Sequence, residues 1–323
     1  MRAVVSHRPG KPGALRVEDA PRPILTDDGV LVRVHASSAN PVDLFPLSPA
    51  GYLMGGRKAS VAGTDFAGVV EAVGANVTEF RAGDGVFGAS RGAFAEYMVV
   101  PETGGIARKP AGVSFLDAGT LGVAASTALQ ALRDHGGVGH GARVLLNGAS
   151  GGVGTFAVQI AKALGAEVTA VCSARNADTA RALGADTVID YTTQDFVREA
   201  GRHDVMVDIA GSRPWSQCKR VLNEGGTYVL TGIAAVQHGK GGTLRALGRI
   251  GWLQLVSKVN GPKLEFFIAA IRRQDLEFIA GLVTEGRVRP VIEKVYDLAH
   301  AGDALAHIDA GHVRGKLAIE VAG

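Results

Sequence analysis

The segment Asn147-Gly148-Ala149-Ser150-Gly151-Gly152-Val153-Gly154 is where residue type and spacing speak most directly of chemistry. A strand-like run, Arg143 to Asn147, precedes it. A helical pattern from about Gly151 to Leu164 follows, with Val153, Ala157, Ile160, Ala161 and Leu164 on one face. Glycine between strand and helix allows a sharp turn, brings backbone N–H groups close to a phosphate at the helix N-terminus, and permits tight packing of helix on strand. Read as G-x-G-x-x-G, the last two glycines are Gly151 and Gly154, with Ala149 in the first place. The expected ligand is a dinucleotide whose pyrophosphate rests on Ala149, Ser150, Gly151, Gly152, Val153 and Gly154.

Two other motifs overlap this turn. Gly148-Ala149-Ser150-Gly151-Gly152 also spells the G-x-S-x-G nucleophile elbow of hydrolases, for which His300, His307 or His312 would have to complete a triad. Gly154 and the strand that follows favour the dinucleotide. A phosphate-binding loop of the G-x-x-x-x-G-K kind is excluded, because Thr155 and no lysine follows Gly154. The second strand, Val168 to Val171, then ends in Cys172-Ser173-Ala174-Arg175-Asn176. An NAD site usually places an acidic residue there to hold the ribose hydroxyls. Here Glu167 lies at the strand's other end and Asp178 belongs to the next helix. The Ser173 hydroxyl and the Arg175 guanidinium suit a 2′-phosphate, so the expected cofactor is NADPH; the plainer alternative leaves Arg175 as a solvated surface residue.

These side chains need a scaffold. From about residue 140 a strand, glycine turn, helix, strand rhythm repeats, with further strands at Glu167 to Val171, Thr187 to Asp190, Asp204 to Ile209 and Gly226 to Thr231. A helix capped by Asn176 ends at Gly184. This predicts an α/β fold with a doubly wound parallel sheet. Residues 1–120 read instead as a mostly β domain, with strands such as Val30 to His35, Phe66 to Val73 and Ala93 to Val100. After about residue 265 come a helical stretch from Leu264 to Glu285, a strand from Arg289 to Tyr296, a helix from Asp303 to Asp309 and a last strand from Lys316 to Val321. The expected division is 1–120 completed by 266–323, with 121–265 between them. Within the intervening part, Arg245 to Lys263 reads as a short helix and a strand, Leu253 to Val259, in preference to an interfacial membrane helix.

The bulk figures fit such an enzyme. The 323 residues exceed the usual size of one hydrophobic core, and 45 glycines are about twice the ordinary ~7%. The 34 basic and 31 acidic residues give a net charge of +3 without a block of like charge, so no nucleic-acid partner is expected. Apolar residues make up 46% of the chain, yet no run approaches the ~20 residues needed to span a bilayer. Cys172 and Cys218 are the two cysteines and form no metal-ligand pattern. With a strand pattern starting at once from Met1, the expected location is the cytoplasm.

At this point the residues resemble a known family, the zinc-independent quinone oxidoreductases of the medium-chain dehydrogenase/reductase superfamily. The resemblance rests on Gly148 to Gly154, Cys172-Ser173-x-Arg175-Asn176 and Leu183-Gly184-Ala185-Asp186-x-Val188-Ile189-Asp190-Tyr191. It extends to Ala39-Asn40-Pro41-Val42-Asp43, Gly63-Thr64-Asp65-Phe66-Ala67-Gly68-Val69-Val70, Phe94-Ala95-Glu96-Tyr97, Thr127-Ala128-Leu129-Gln130-Ala131-Leu132 and Gly311-His312-x-Arg314-Gly315-Lys316. It implies a GroES-like catalytic domain around a Rossmann domain, with the active site in the cleft. It also implies Ser173, Arg175 and Tyr191 near the 2′-phosphate, Thr127, Gly232 and Ile233 near the nicotinamide, and Arg314 among the cofactor-binding residues. A homodimer is expected by the same analogy.

Zinc-bearing relatives carry a cysteine near the place of Asn40 and Gly-His-Glu where this chain has Gly63-Thr64-Asp65, so no metal is expected. Gly85, Glu102 to Ile106 and Val236 to Pro262 depart from the family pattern. The expected reaction is hydride delivery from NADPH to a quinone or an α,β-unsaturated carbonyl, with charge developing on the carbonyl oxygen. Asn40 would donate to that oxygen, or else cap the turn before Pro41. Asp43 is read as ordering the Asn40 loop. Tyr52 is a second donor or an aromatic wall. The alternatives are a zinc-free reductase of another carbonyl class and an NADPH-binding sensor without turnover.

Overall fold

A computed structural model of the 323-residue chain describes residues 1–55, 58–231, 261–311 and 313–321. The chain divides into two compact units, Met1–Ser126 with Ile271–Gly323, and Thr127–Ala270. These limits lie a few residues beyond the expected 120 and 265. Gly119 and Gly122 mark where the Gly122–Leu129 helix starts, and the division falls inside that helix.

The first unit opens with β1 (Arg2–Ser6), β2 (Val17–Asp19), β3 (Gly29–Ala39), β4 (Ser60–Val61), β5 (Asp65–Val73), β6 (Gly85–Ala89), β7 (Tyr97–Pro101) and β8 (Ile106–Arg108). The second unit supplies β9 (Arg143–Asn147), β10 (Glu167–Cys172), β11 (Thr187–Asp190), β12 (His203–Asp208), β13 (Leu222–Thr231) and β14 (Lys263–Phe267). The chain then returns to the first unit through the Arg273–Thr284 helix, β15 (Ile292–Asp297), the Ala301–Ala310 helix and β16 (Lys316–Glu320).

In the second unit the strand order is β11-β10-β9-β12-β13-β14, all parallel, the doubly wound arrangement. Val144, Leu145 and Leu146 of β9 are fully buried, as a parallel sheet covered on both faces requires. The Gly152–Ala163 helix is buried on more than the one face expected: Phe156 and Val158 are fully covered, whereas Val153 and Leu164 are only half-buried. The predicted helix from Leu264 to Glu285 is corrected. Its first residues form β14 beside β13, extended backbone at Arg272 breaks the chain, and the helix begins at Arg273. The predicted helix and strand between Arg245 and Lys263 fall mostly outside the described residues, as do Gly232, Ile233 and His312.

In the first unit β3 is the organising strand. Its first half, Gly29 to Arg33, pairs with β7, and its second half, Ala36 to Ala39, pairs with β16. Along its other edge it pairs with β5. Phe66, Val32, Val34, Phe94, Leu317 and Ile319 fill the core beneath. Among the described residues no helix is long and apolar enough to cross a membrane.

Candidate active site

The glycine turn of the second unit needs its glycines for two separate reasons. Gly148 has φ 96°, a left-handed conformation that side chains resist. At Gly154 a Cβ would stand 2.2 Å from the Gly148 carbonyl oxygen, so helix and turn meet only because that atom is missing. A Cβ at Gly151 would meet nothing closer than 3.9 Å, leaving open space before the helix N-terminus. Gly151 is the N-cap residue of that helix and no side chain caps it. First-turn N–H groups left uncapped beside open space suit a phosphate. Behind the turn, the Asn147 amide donates to Asp208 Oδ1 at 2.8 Å and Tyr228 donates to Oδ2 at 2.7 Å. Burial raises the Asp208 pKa. That buttress carried no signal in the sequence reading.

The 2′-phosphate candidates share one sheet edge. β10 and β11 are paired with Cys172 beside Asp190, so Ser173 and Tyr191 leave their strands side by side. Tyr191 is 53% exposed, Arg175 is exposed and Ser173 is half-buried. Asn176 stands at the N-cap of the next helix, but its side chain does not cap it as expected; Nδ2 donates to Ser173 Oγ at 3.1 Å. Asp190 is an acid on this edge, yet its carboxylate is turned onto its own loop. Oδ1 accepts from the Thr192 hydroxyl at 2.7 Å and the Thr192 N–H at 3.0 Å, which hold its pKa down. Thr127 is buried in the Gly122–Leu129 helix. Arg314 lies in the first unit, where its N–H donates to Glu293 Oε2 at 2.7 Å.

In the first unit the sheet register assembles a buried polar cluster. Leu317 stands opposite Ala39, which sets Lys316 beside Asn40, and Ser38 stands opposite Asp65. Asn40, Asp43, Asp65 and Lys316 are 2%, 4%, 0% and 3% exposed. The Asp65 carboxylate accepts from Ser38 Oγ at 2.6 Å, Asn40 Nδ2 at 2.9 Å, Lys316 Nζ at 3.3 Å and the Val123 N–H at 2.7 Å. Lys316 also donates to Asn40 Oδ1 at 2.5 Å.

Asn40, expected to offer an N–H to a substrate oxygen, is bonded on every side. Nδ2 has two hydrogens, which go to Asp65 Oδ2 and to the Ser38 carbonyl at 3.2 Å. Asp43 holds the loop as read from the sequence, taking the Asn40 N–H at 2.8 Å, while its other oxygen lies 2.5 Å from the Thr64 hydroxyl. Burial, reinforced by the nearby Asp65, pushes the Asp43 carboxyl up to about 7 against the bonds from Thr64 and Asn40 and the charge of Lys316. Tyr52 is half-buried on the short Pro49–Met54 helix that follows this loop. Lys316, Asp65 and Thr64 were not read as site residues. The signal for Lys316 is a charged residue opening the apolar run Leu317-Ala318-Ile319.

Of the three histidines that the hydrolase reading names, His300 and His307 are described, and both are bonded within the first unit. His300 is bonded to Asp297 at 2.6 Å and His307 to Tyr296 at 3.1 Å. Burial raises both thiols, with Cys218 pushed up to about 12, so neither is a ready nucleophile.

Comparison with known proteins agrees with this anatomy. Residues 26–111 match the alcohol dehydrogenase GroES-like domain and residues 183–319 match the zinc-binding dehydrogenase family. The chain is 33% identical over 332 residues to the chloroplast envelope quinone oxidoreductase homolog of Arabidopsis thaliana, covering 95% of each. It belongs to the quinone oxidoreductase-like family of medium-chain dehydrogenase/reductases. The trans-enoyl reductase pgmF of Aspergillus terreus is 35% identical over 325 residues, covering 92% of this chain and 87% of that protein. The solved quinone oxidoreductase from Coxiella burnetii superposes with a TM-score of 0.86 at 29% identity, covering 100% of this chain and 99% of that one.

Zinc, which one family description names, finds no suitable donor set among the described residues of this quinone oxidoreductase-like chain. Among the described residues no group of three His, Cys, Asp or Glu is placed to hold a metal. At the locus where zinc-bearing relatives place ligands, the Lys316 ammonium already sits against Asn40 and Asp65, and it would repel a second cation.

Proposed function

We propose that this chain is an NADPH-dependent reductase of quinones or α,β-unsaturated carbonyls that works without zinc. The observation that supports the cofactor choice is the β10–β11 edge, where Ser173 and Tyr191 leave paired strands side by side, exposed Arg175 follows two residues after Ser173, and the local acid, Asp190, is bonded into its own loop. The glycine turn would hold the pyrophosphate through backbone N–H groups, Ser173, Arg175 and Tyr191 the 2′-phosphate, and Thr127, with Gly232 and Ile233, the nicotinamide end. When bound, the dinucleotide supplies a hydride. The names of the relatives, a quinone oxidoreductase homolog and a trans-enoyl reductase, support the acceptor class.

The chain's own part is to bind, to orient and to stabilise an oxyanion. Tyr52 is the proposed donor to the substrate oxygen. Asn40 shares that role only by giving up its longer bond to the Ser38 carbonyl; otherwise it fixes the loop. A simple alcohol, which must lose a hydroxyl proton as hydride leaves, is best served by a metal or a poised base on its oxygen. The test is NADPH oxidation against a panel of quinones, enones, enals and simple aldehydes. Turnover with quinones or enones supports the reading, and turnover confined to simple aldehydes would replace it.

A further inference from the structure

The buried cluster of the first unit holds more acid than its one ammonium balances. Lys316 is committed to Asp65, whose four partners all donate to it. Asp43 is the second buried carboxyl. The charged groups that face it are Asp65, which favours a proton on it, and Lys316, which opposes one. Burial, the largest cause, acts with Asp65 and pushes the Asp43 carboxyl up to about 7.

Asp43 also has somewhere to send that proton. Its Oδ1 accepts from the Thr64 hydroxyl at 2.5 Å, a bond that favours the carboxylate and that a proton on Asp43 would reverse, and Thr64 is half-buried while Asp43 is 4% exposed. A hydroxyl has one hydrogen and two lone pairs, so it can accept from a carboxylic acid and donate outward at the same time. Thr64 is thus the less enclosed of the two residues that share this bond. The Asn40 N–H on Asp43 Oδ2 fixes the carboxyl so that Oδ1 faces Thr64.

We propose that Thr64 and Asp43 form a proton relay that completes the reduction of an α,β-unsaturated carbonyl, Thr64 protonating the α-carbon of the enolate and Asp43 reprotonating Thr64. This rests on the conjugated-carbonyl reading and assigns the α-proton, for which that reading names no donor. The hydride comes from a dihydronicotinamide nucleotide. The enolate's electron pair forms the new α-C–H bond as the Thr64 O–H bond breaks and the carbonyl is restored. The Asp43 O–H bond breaks in turn, its proton passes to Thr64 Oγ1, and the carboxylate left behind recovers a proton from water. Thr64 is the catalytic residue and Asp43 acts through it.

The test uses the full chain with NADPH and 2-methylcyclohex-2-enone, whose reduction makes a stereocentre at the α-carbon. Wild type is expected to give one enantiomer of 2-methylcyclohexanone in excess, with kcat falling as pH rises through about 7. Thr64→Val should lower kcat on the order of a hundredfold, lose the enantiomeric excess and leave NADPH affinity unchanged. Thr64→Ser should restore both rate and excess. Independently of turnover, carbon-13 NMR of the aspartate carboxyls in the unloaded protein, assigned by the signal lost in Asp43→Asn, should show Asp43 titrating near 7 and moving higher in Thr64→Val, which lacks the hydrogen bond that lowers it. Wild-type rate and stereochemistry in Thr64→Val would overturn the relay, as would an Asp43 signal titrating in the ordinary carboxylate range. If wild type binds NADPH yet never reduces the enone, the conjugated-carbonyl reading falls and takes the relay's substrate with it; if the enone is reduced but Asp43 titrates ordinarily, the relay alone falls.

Discussion

The Lys316 ammonium lies 3.3 Å from the Asp65 carboxylate, and the two side chains are 3% and 0% exposed. They come from strands 251 positions apart in sequence, joined through β3 between them. A buried pair adds little net stability when both partners are present, but removing one leaves a charge without water or counter-ion. Lys316→Met should therefore lower stability by about 3–5 kcal/mol, read as a fall in the denaturation midpoint. The double change with Asp65→Asn should recover part of that loss. A Lys316→Met protein as stable as wild type would show that the pair does not hold the cluster.

Gly154→Ala tests the glycine turn. Its new methyl would stand 2.2 Å from the Gly148 oxygen and 2.6 Å from the Ala149 carbonyl carbon, both backbone atoms. Overpacking of this kind typically costs about 1–3 kcal/mol, and moving the turn should weaken NADPH binding at least tenfold. Gly281→Ala is the contrasting case. It lies within the Arg273–Thr284 helix with nothing inside 4 Å of the added atom, and should stabilise by about 0.5–1 kcal/mol. Unchanged NADPH affinity in Gly154→Ala would remove the turn from the site.

Arg175→Ala should separate the two nicotinamide cofactors. A charged hydrogen bond lost from the 2′-phosphate is worth about 1.5–3 kcal/mol, roughly tenfold to a hundredfold in affinity. NADH has no 2′-phosphate, so its binding should not change. Titration of both cofactors by fluorescence decides the matter, and equal weakening would mean that Arg175 does not read the phosphate.

Much of the second unit could be read from the sequence because its signals are local. Parallel strands buried on both faces appear as apolar runs, and Gly165 and Gly184, at φ 83° and 106°, stop the helices that precede them. The run Lys263-Leu264-Glu265-Phe266-Phe267 misled, because its alternation of charged and apolar residues lasts only four positions before the helical pattern that follows. The polar cluster was half legible. Asn40 and Asp43 are three residues apart, and their loop was expected. Asp65 and Lys316 reach Asn40 from 25 and 276 positions away, and only the pairing of β5 and β16 along β3 brings them there. With Asp65 not read as a site residue, the Asn40 amide looked free to donate to a substrate.

Asp43 should leave a signature in the pH dependence of stability. Its folded pKa, about 7, lies above the ordinary 3.8 of the unfolded chain, so between those values the native state binds the extra proton. Its contribution is then fully present at the acid end, is lost as pH rises from about 4 to about 7, and is flat above. Asp43→Asn has no such titration. The pH dependence of wild-type stability minus that of the variant should slope downward across that window. Parallel curves would place the Asp43 pKa in the ordinary range.

The central claim is that reduced nicotinamide delivers its hydride to the conjugated carbon of an acceptor. The most direct measurement is the fate of deuterium from NADPH labelled at C4 of the nicotinamide ring, using both labelled epimers in turn with cyclohex-2-enone and the purified protein. One epimer should transfer its deuterium to the β-carbon of cyclohexanone, with the α-hydrogen drawn from solvent. Deuterium found instead on the carbinol carbon of cyclohex-2-enol, or retained in the cofactor while the enone is left intact, would contradict the account.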